Sequence, residues 1–406
     1  VHPQHLSIHD FTYTLPPEKI AQHPVSPRDR SKLLMYEGGK ITEDIFFNVA
    51  NWLPQETLLV LNDTKVIHAR LLFRNENGAA IEVFLLEPLS PSVDLQLAMF
   101  EHGECRWRCF AGNAKKWRGE KLVRKFRAGE TEGSLVATKE GMVEGDFVIH
   151  LQWEPSALSL AAVIEAAGDV PLPPYIKRPA ENNEARQYQT IYAVQDGSVA
   201  APTAGLHFTD HVFEELKKKN IAKVFTTLHV SAGTFLPVKS EVIKDHLMHH
   251  EQFVIRRDSV EQLLLARKNK RRIVAVGTTS LRTIESCYLL GKGIRHRKNF
   301  EIEQWEPYQD GAGNIPADAA LQNLLDFMME KKLYQLTAFT RLLIAPGYEF
   351  KLADGLLTNF HQPQSTLLLL VAAFIGGDWK KVYDYALKNN FRFLSYGDAS
   401  LIWSNK

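Results

Sequence analysis

The sequence of 406 residues predicts an α/β protein with an all-β stretch set inside it. Short apolar runs at 33–36, 58–61 and 273–276 read as buried strands, and helical periodicity accompanies them near the start and again after Trp153. Between Val66 and Leu151 that periodicity vanishes. Short strands then alternate with turn residues, at the spacing of a small barrel or sandwich. The length suits two or three domains.

Composition narrows the class. With 45% hydrophobic and 23% charged residues the chain is globular rather than disordered. A net charge of +1 leaves any nucleic-acid contact to local patches. Cys105, Cys109 and Cys287 form an odd set with no disulfide framework, which fits a reducing compartment. The start, Val-His-Pro-Gln-His, lacks a secretory pattern. The longest apolar run, 367–375, is nine residues, against about 20 for a membrane helix. A cytoplasmic protein without membrane contact is expected.

In chain order, the first unit ends at Asn62-Asp63-Thr64. Strands are expected at 81–86, 95–100, 106–110, 121–126, 135–138 and 146–151, then a helix from Leu158 closed by Gly168. Residues 209–219 read as an amphipathic helix, with Val212, Phe213 and Leu216 on one side. Further helices are expected at 263–270, 280–290, 319–331, 366–375 and 378–389, and a strand at 338–344.

Two loops bracket the 209–219 helix. Val199-Ala-Ala-Pro-Thr-Ala-Gly-Leu-His207-Phe208 lies before it and Thr227-Leu-His229-Val-Ser-Ala-Gly-Thr-Phe-Leu-Pro-Val238 after it. Small residues bury little apolar area, and Gly allows close approach of backbone to a ligand. Two tight turns remain the plainer account. A second signal is Gly277-Thr278-Thr279-Ser280 between a strand and a helix start, a geometry ready for an anion. It matches neither a Walker loop nor Gly-x-Gly-x-x-Gly. Residues 245–251 (Asp-His-Leu-Met-His-His-Glu) would stack His246 on His249 and His250 if helical. No third ligand can be named, so no metal is expected, and a proton-moving acid/His cluster is the better reading.

Lys115, Lys116, Trp117, Arg118, Lys121, Arg124, Lys125 and Arg127 interleave cations with one aromatic, which suits a phosphate backbone and a stacked base. A solvated hairpin fits equally. Residues 291–340 read as an insertion with a basic start at Lys292, Arg295, Arg297 and Lys298.

In order, Ala21-Gln-His-Pro24, Leu61-Asn-Asp-Thr-Lys-Val66, Pro171-Leu-Pro-Pro-Tyr-Ile176, the two loops above, Asp245-His246, Met248-His249, Val276-Gly-Thr-Thr-Ser280, Thr358-Asn-Phe-His361 and Ser395-Tyr-Gly-Asp-Ala399 resemble the S-adenosylmethionine:tRNA ribosyltransferase-isomerases of queuosine biosynthesis. Ser231, His250 and Gln362 depart from the usual pattern, and 291–340 looks long for it.

The resemblance implies a large mixed, barrel-like α/β domain (1–64 and 152–406) with a small all-β barrel inserted at 65–151. It implies transfer and isomerisation of the ribosyl unit of S-adenosylmethionine onto 7-aminomethyl-7-deazaguanine at the wobble position of a tRNA. Epoxyqueuosine-tRNA, adenine and methionine would result. S-adenosylmethionine would be the ribosyl-donor substrate, with no permanently bound cofactor, and a monomer is the expectation. The implied proton-handling residues are His207, His229, His249, Glu251, His361 and Asp398. The implied substrate contacts are Thr203, Gly205, Gly233, Thr234, Asp245, His246, Gly277, Thr278, Thr279, Ser280, Arg282, Asn359 and Tyr396. One pocket is expected to be lined by His207, His229, Asp245, His246, Thr279, Arg282, His361 and Asp398. A non-catalytic RNA-binding relative and an S-adenosylmethionine-dependent methyltransferase are the competing readings. The missing Rossmann glycines count against the second.

Overall fold

A computed structural model describes residues 2–143, 145–178, 181, 183–231, 238, 240–309 and 313–404. The chain runs through β1 (Lys32–Glu37), β2 (Lys40–Ile45), β3 (Leu58–Asn62) and β4 (Thr64–Val66). It then builds β5 (Arg70–Arg74), β6 (Ala80–Ser90), α1 (Leu95–Met99), β7 (Glu104–Gly112), β8 (Leu122–Ala128), β9 (Thr131–Val143), β10 (Asp146–Glu154) and α2 (Leu160–Ala167). There follow α3 (Glu184–Gln187), β11 (Gln195–Ser198), α4 (Asp210–Lys218), β12 (Ala222–Leu228), β13 (Glu251–Arg256), α5 (Arg257–Lys268), β14 (Ile273–Val276) and α6 (Gly277–Gly293). The last elements are β15 (Glu301–Ile302), α7 (Ala317–Glu330), β16 (Gln335–Thr340), β17 (Gly355–Asn359), α8 (Thr366–Ile375), α9 (Trp379–Lys388) and β18 (Ala399–Trp403).

The larger sheet has the order β15-β16-β13-β12-β3-β14-β17-β18-β1-β2. Its middle strands β12, β3, β14 and β17 run parallel. They are buried on both faces, and the alternation of side chains sorts them. Leu58, Val60, Ile273, Ala275 and Leu356 enter the core shared with α5 to α9. Leu59, Leu61, Val274, Val276 and Leu357 enter the opposite core, with Phe208, Val212 and Leu216 around α4. Each buried Leu contributes about 2 kcal/mol.

The smaller sheet is antiparallel with the order β5-β6-β7-β10-β9-β8. It nearly closes, because Arg124 on β8 donates to the Leu72 carbonyl on β5 at 2.9 Å. Phe73, Trp107, Ile149 and Leu151 fill its interior.

Several sequence expectations change. Residues 95–99 are helical, not a strand, because the Asp94 carboxylate accepts from the Gln96 and Leu97 N–H groups. The barrel unit extends past 151: Leu160, Val163, Ile164 and Ala167 of α2 share its core. Within the segment after α6, β15, α7 and β16 belong to the main unit. β16 pairs with β13, and Leu321, Leu324 and Met328 of α7 lie in the main core. The 338–344 strand sits earlier, at Gln335–Thr340. Residues 246–250 form no helix, so the His stack at helical spacing does not exist. Among the described residues, no helix is long and apolar enough to cross a membrane.

Candidate functional site

The parallel strands end on one edge of the large sheet, and ligands in such sheets bind outside that edge. β3 ends at Asn62 and leads to Thr64; β12 leads to His229 and Val230; β14 leads to Gly277–Thr279; β17 leads to Asn359–His361. Because β18 runs antiparallel to β17 and β1 parallel to β18, Ser395–Asp398 and Ser31 reach the same edge from the other direction. Most of the words singled out in the sequence are therefore strand ends.

A narrow cleft of about 70 Å³ opens there. Thr203, Gly277, Thr278, Thr279, Asn359 and His361 line it. So do Tyr175, Gln362, Ser365, Leu367 and Ser395, which are not among the residues expected from sequence. No local pattern marks Tyr175 and Ser395 as partners, yet their hydroxyls lie 2.6 Å apart. Gly277 has φ +86°, a left-handed value suited to Gly, and it aims the first turn of α6 at the cleft. No side chain caps that turn, so its N–H groups face the space. The buried hydroxyls of Thr279 and Ser280 have no partner there.

His207 stands behind the cleft. Asn359 Nδ2 donates to its Nε2 at 3.3 Å, and its Nδ1 lies 2.8 Å from Ser31 Oγ. Thr203 Oγ1 donates to Asn359 Oδ1 at 3.1 Å, so the chain Thr203–Asn359–His207–Ser31 is continuous. Burial pushes the His207 imidazole down to about 3. His361, in the cleft wall, shares 3.0 Å with Thr358 Oγ1, and burial also drives it down to about 3. Both are neutral near pH 7.

A second, tight pocket of about 30 Å³ shares Leu367 with the cleft and is lined by His246, His249, Glu251 and Arg282. Burial lowers the pKa of His249, and Glu251 opposes that shift. A third space, about 650 Å³, shares Val230 with the cleft and holds His229, His250 and Lys298 between barrel and sheet. His229 is fixed by Thr64 Oγ1 at 2.9 Å and Gln96 Nε2 at 3.3 Å, and burial lowers its pKa to about 4.

The single pocket expected from sequence is thus three adjoining spaces, and some expected members lie outside all of them. Asp398 is buried under its own turn, accepting from the Lys32 and Arg392 N–H groups at 3.0 and 2.7 Å. Tyr396 donates to Glu184. Asp245 is exposed. Gly205 packs against Tyr192 rather than a ligand, since a Cβ there would stand 2.0 Å from the Tyr192 hydroxyl. Gly233 and Thr234 fall outside the described residues.

Of the basic candidates, Lys115, Lys116, Arg118, Lys121, Arg295 and Lys298 are exposed. Trp117 is not: it is 1% exposed in the barrel core, with Nε1 donating to the Glu120 carbonyl at 2.7 Å. It cannot stack on a base while the barrel is folded. Arg297 is turned inward onto Glu306 and the carbonyls of Glu301 and Leu289.

The fold is that of a mixed α/β protein with a small barrel and a cleft at its parallel strand ends. The family model described as Queuosine biosynthesis protein matches residues 8–402, and the chain belongs to that family. Among its relatives, the S-adenosylmethionine:tRNA ribosyltransferase-isomerase of Thermotoga maritima is 38% identical over 403 residues, covering 98% of this chain and 100% of the relative. That of Halothermothrix orenii is 37% identical over 402 residues, covering 98% and 100%. The crystal structure of S-adenosylmethionine tRNA ribosyltransferase from Thermotoga maritima aligns over 97% of this chain and 99% of that one, at 29% identity and a TM-score of 0.47.

Proposed function

We propose that this enzyme moves the ribosyl unit of S-adenosylmethionine onto 7-aminomethyl-7-deazaguanine at the wobble position of a tRNA. The ribose is rebuilt into an epoxycyclopentane, giving epoxyqueuosine-tRNA and freeing adenine and methionine. The observation that carries this reading is the convergence of the ends of β12, β14 and β17 on one cleft that adjoins a charged pocket. A ligand with a nucleoside body and an ionic tail matches that shape.

The chemistry asks for a base beside the carbon next to the sulfonium, a proton for departing adenine and fixed dipoles for developing charge. The first turn of α6, with Thr278 and Thr279, supplies dipoles aimed at the cleft. Neutral His207 and His361 position by hydrogen bonding. His249, which lines the second pocket with Glu251, is the assigned base. The exposed barrel cations, Lys115, Lys116, Arg118 and Lys121, together with Arg295 and Lys298, are assigned to tRNA phosphates.

The test mixes the protein, S-adenosylmethionine and tRNA bearing the precursor base, and follows products by chromatography. Adenine and methionine in equal amounts are expected. S-adenosylhomocysteine instead would make the protein a methyltransferase. No product from a tRNA that binds would make it a non-catalytic binder.

A further inference from the structure

The second pocket holds a feature that the ribosyl-transfer reading does not require. Arg282, on α6, is 6% exposed. Its Nη1 is paired with Glu251, and its Nε donates to the Leu342 carbonyl at 3.2 Å. Its Nη2 is buried without a partner. A guanidinium nitrogen left unpaired in a dry wall costs free energy unless a ligand takes it up. Arg282 lines the pocket, so an acceptor placed there would meet this nitrogen.

The surroundings specify the acceptor. Arg282 and Glu251 together carry no net charge, so a lone anion would be poorly balanced. A zwitterion keeps the balance: its carboxylate takes Arg282 Nη2, and its ammonium faces Glu251 and the ring of His246. Apart from Thr366 the remaining wall is apolar, with Met248, Leu342, Leu343, Ile344, Leu367 and Leu370. Such a wall suits methylenes and a sulfur. Leu367 belongs to this pocket and to the main cleft, so a ligand can span both.

We infer that this pocket is an α-amino-acid subsite in which Arg282 binds the carboxylate of the methionyl end of the donor, and of the methionine product. The inference rests on S-adenosylmethionine being the donor. It makes Arg282 a specificity residue, separating the donor from analogues that lack the carboxylate.

The full chain is titrated calorimetrically with L-methionine and with L-methioninamide, which keeps the ammonium and thioether but not the anion. Wild type is expected to bind methionine at least about tenfold more tightly, the usual weight of a charge-assisted contact. Arg282→Gln should erase the difference, and Arg282→Lys should restore part of it. Equal binding of the two compounds by wild type overturns the inference, as does no methionine binding at all. Discrimination retained by an Arg282→Gln protein with native circular dichroism overturns it too. Should that variant fail to fold, Leu370→Phe, which fills the pocket, must weaken methionine binding; unchanged binding refutes the subsite. In turnover, decarboxylated S-adenosylmethionine should show a KM raised about tenfold or more. Methionine binding needs no turnover, so a wild type that binds methionine yet releases no adenine defeats the ribosyl-transfer reading and leaves the subsite standing.

Discussion

Asn359 and His207 are joined across the back of the cleft by a 3.3 Å hydrogen bond, in which the amide donates to the imidazole. That direction leaves the neutral ring with its proton on Nδ1, towards Ser31 Oγ at 2.8 Å. The amide oxygen meanwhile accepts from Thr203. One side chain therefore sets both a cleft hydroxyl and a buried tautomer. Asn359→Ala would strand two buried polar groups, at a cost of about 1–3 kcal/mol. Adenine release should fall at least about tenfold, with a lower urea midpoint. Unchanged turnover would remove Asn359 from the site.

Three buried imidazoles set the acid limb of stability. Burial holds His207 and His361 at about 3 and His229 at about 4, all below the usual 6.5. The unfolded chain then binds more protons than the folded one between these values and 6.5. Stability is complete above that window and falls as pH drops through it. Urea midpoints should be level from pH 7 to 8 and decline steadily from pH 6.5 towards 4. His361→Gln should make the decline shallower. A midpoint that rises on acidification would contradict the neutral assignment.

Gly205 tests packing against ligand contact. An added Cβ would meet the Tyr192 hydroxyl at 2.0 Å and Thr190 Cγ2 at 2.8 Å. Gly205→Ala should destabilise by about 1–3 kcal/mol, and Tyr192→Phe in the same chain should recover part of the loss. If the loss appears only as a higher KM for S-adenosylmethionine, with the urea midpoint unmoved, Gly205 contacts substrate after all.

Asp398 sits apart from the cleft, holding the backbone of Lys32 and Arg392 together and lying 3.3 Å from the Arg392 guanidinium. Asp398→Asn keeps the shape but weakens three contacts to a carboxylate. A stability loss of about 1–3 kcal/mol is expected, with turnover per folded molecule changed less than about threefold. A collapse of turnover in a fully folded variant would return Asp398 to the proton-handling set.

The strands and most helices were legible because alternation and helical period record burial directly, as at Leu58–Asn62 and Ala317–Glu330. The site words were legible because strand ends carry small and polar residues where chains must approach a ligand. What one dimension conceals is which neighbours arrive from elsewhere. Residues 95–100 alternate weakly like a strand, yet Asp94 caps them into a helix. Trp117 sits among cations in the sequence, yet faces the barrel interior, since a short turn at Ala114–Lys116 reverses its side. Arg297 looks like its basic neighbours until Glu306, nine positions on, takes its charge. The division of one expected pocket into three spaces depends on Leu367 and Val230, which no charge or glycine pattern marks.

The basic groups separate by the same reasoning. Lys116, Arg118 and Lys121 are exposed at one end of the barrel, so their cations are available to phosphates. Arg297 is spent on Glu306 and two carbonyls. Reversing the charge of the first three should weaken tRNA binding and make it less salt-dependent, the logarithmic slope falling by about 0.7–0.9 per lost phosphate contact. Arg297→Ala should leave tRNA affinity and slope unaltered while lowering the urea midpoint, because it leaves Glu306 without its buried partner. Trp117→Phe should behave like Arg297→Ala, costing stability through lost packing and a lost hydrogen bond. Filter binding across a salt series, with urea unfolding of the same preparations, distinguishes the two classes. Full tRNA affinity after reversal of Lys116, Arg118 and Lys121 would move the RNA path off the barrel and towards Arg295 and Lys298, beside the space that holds His229.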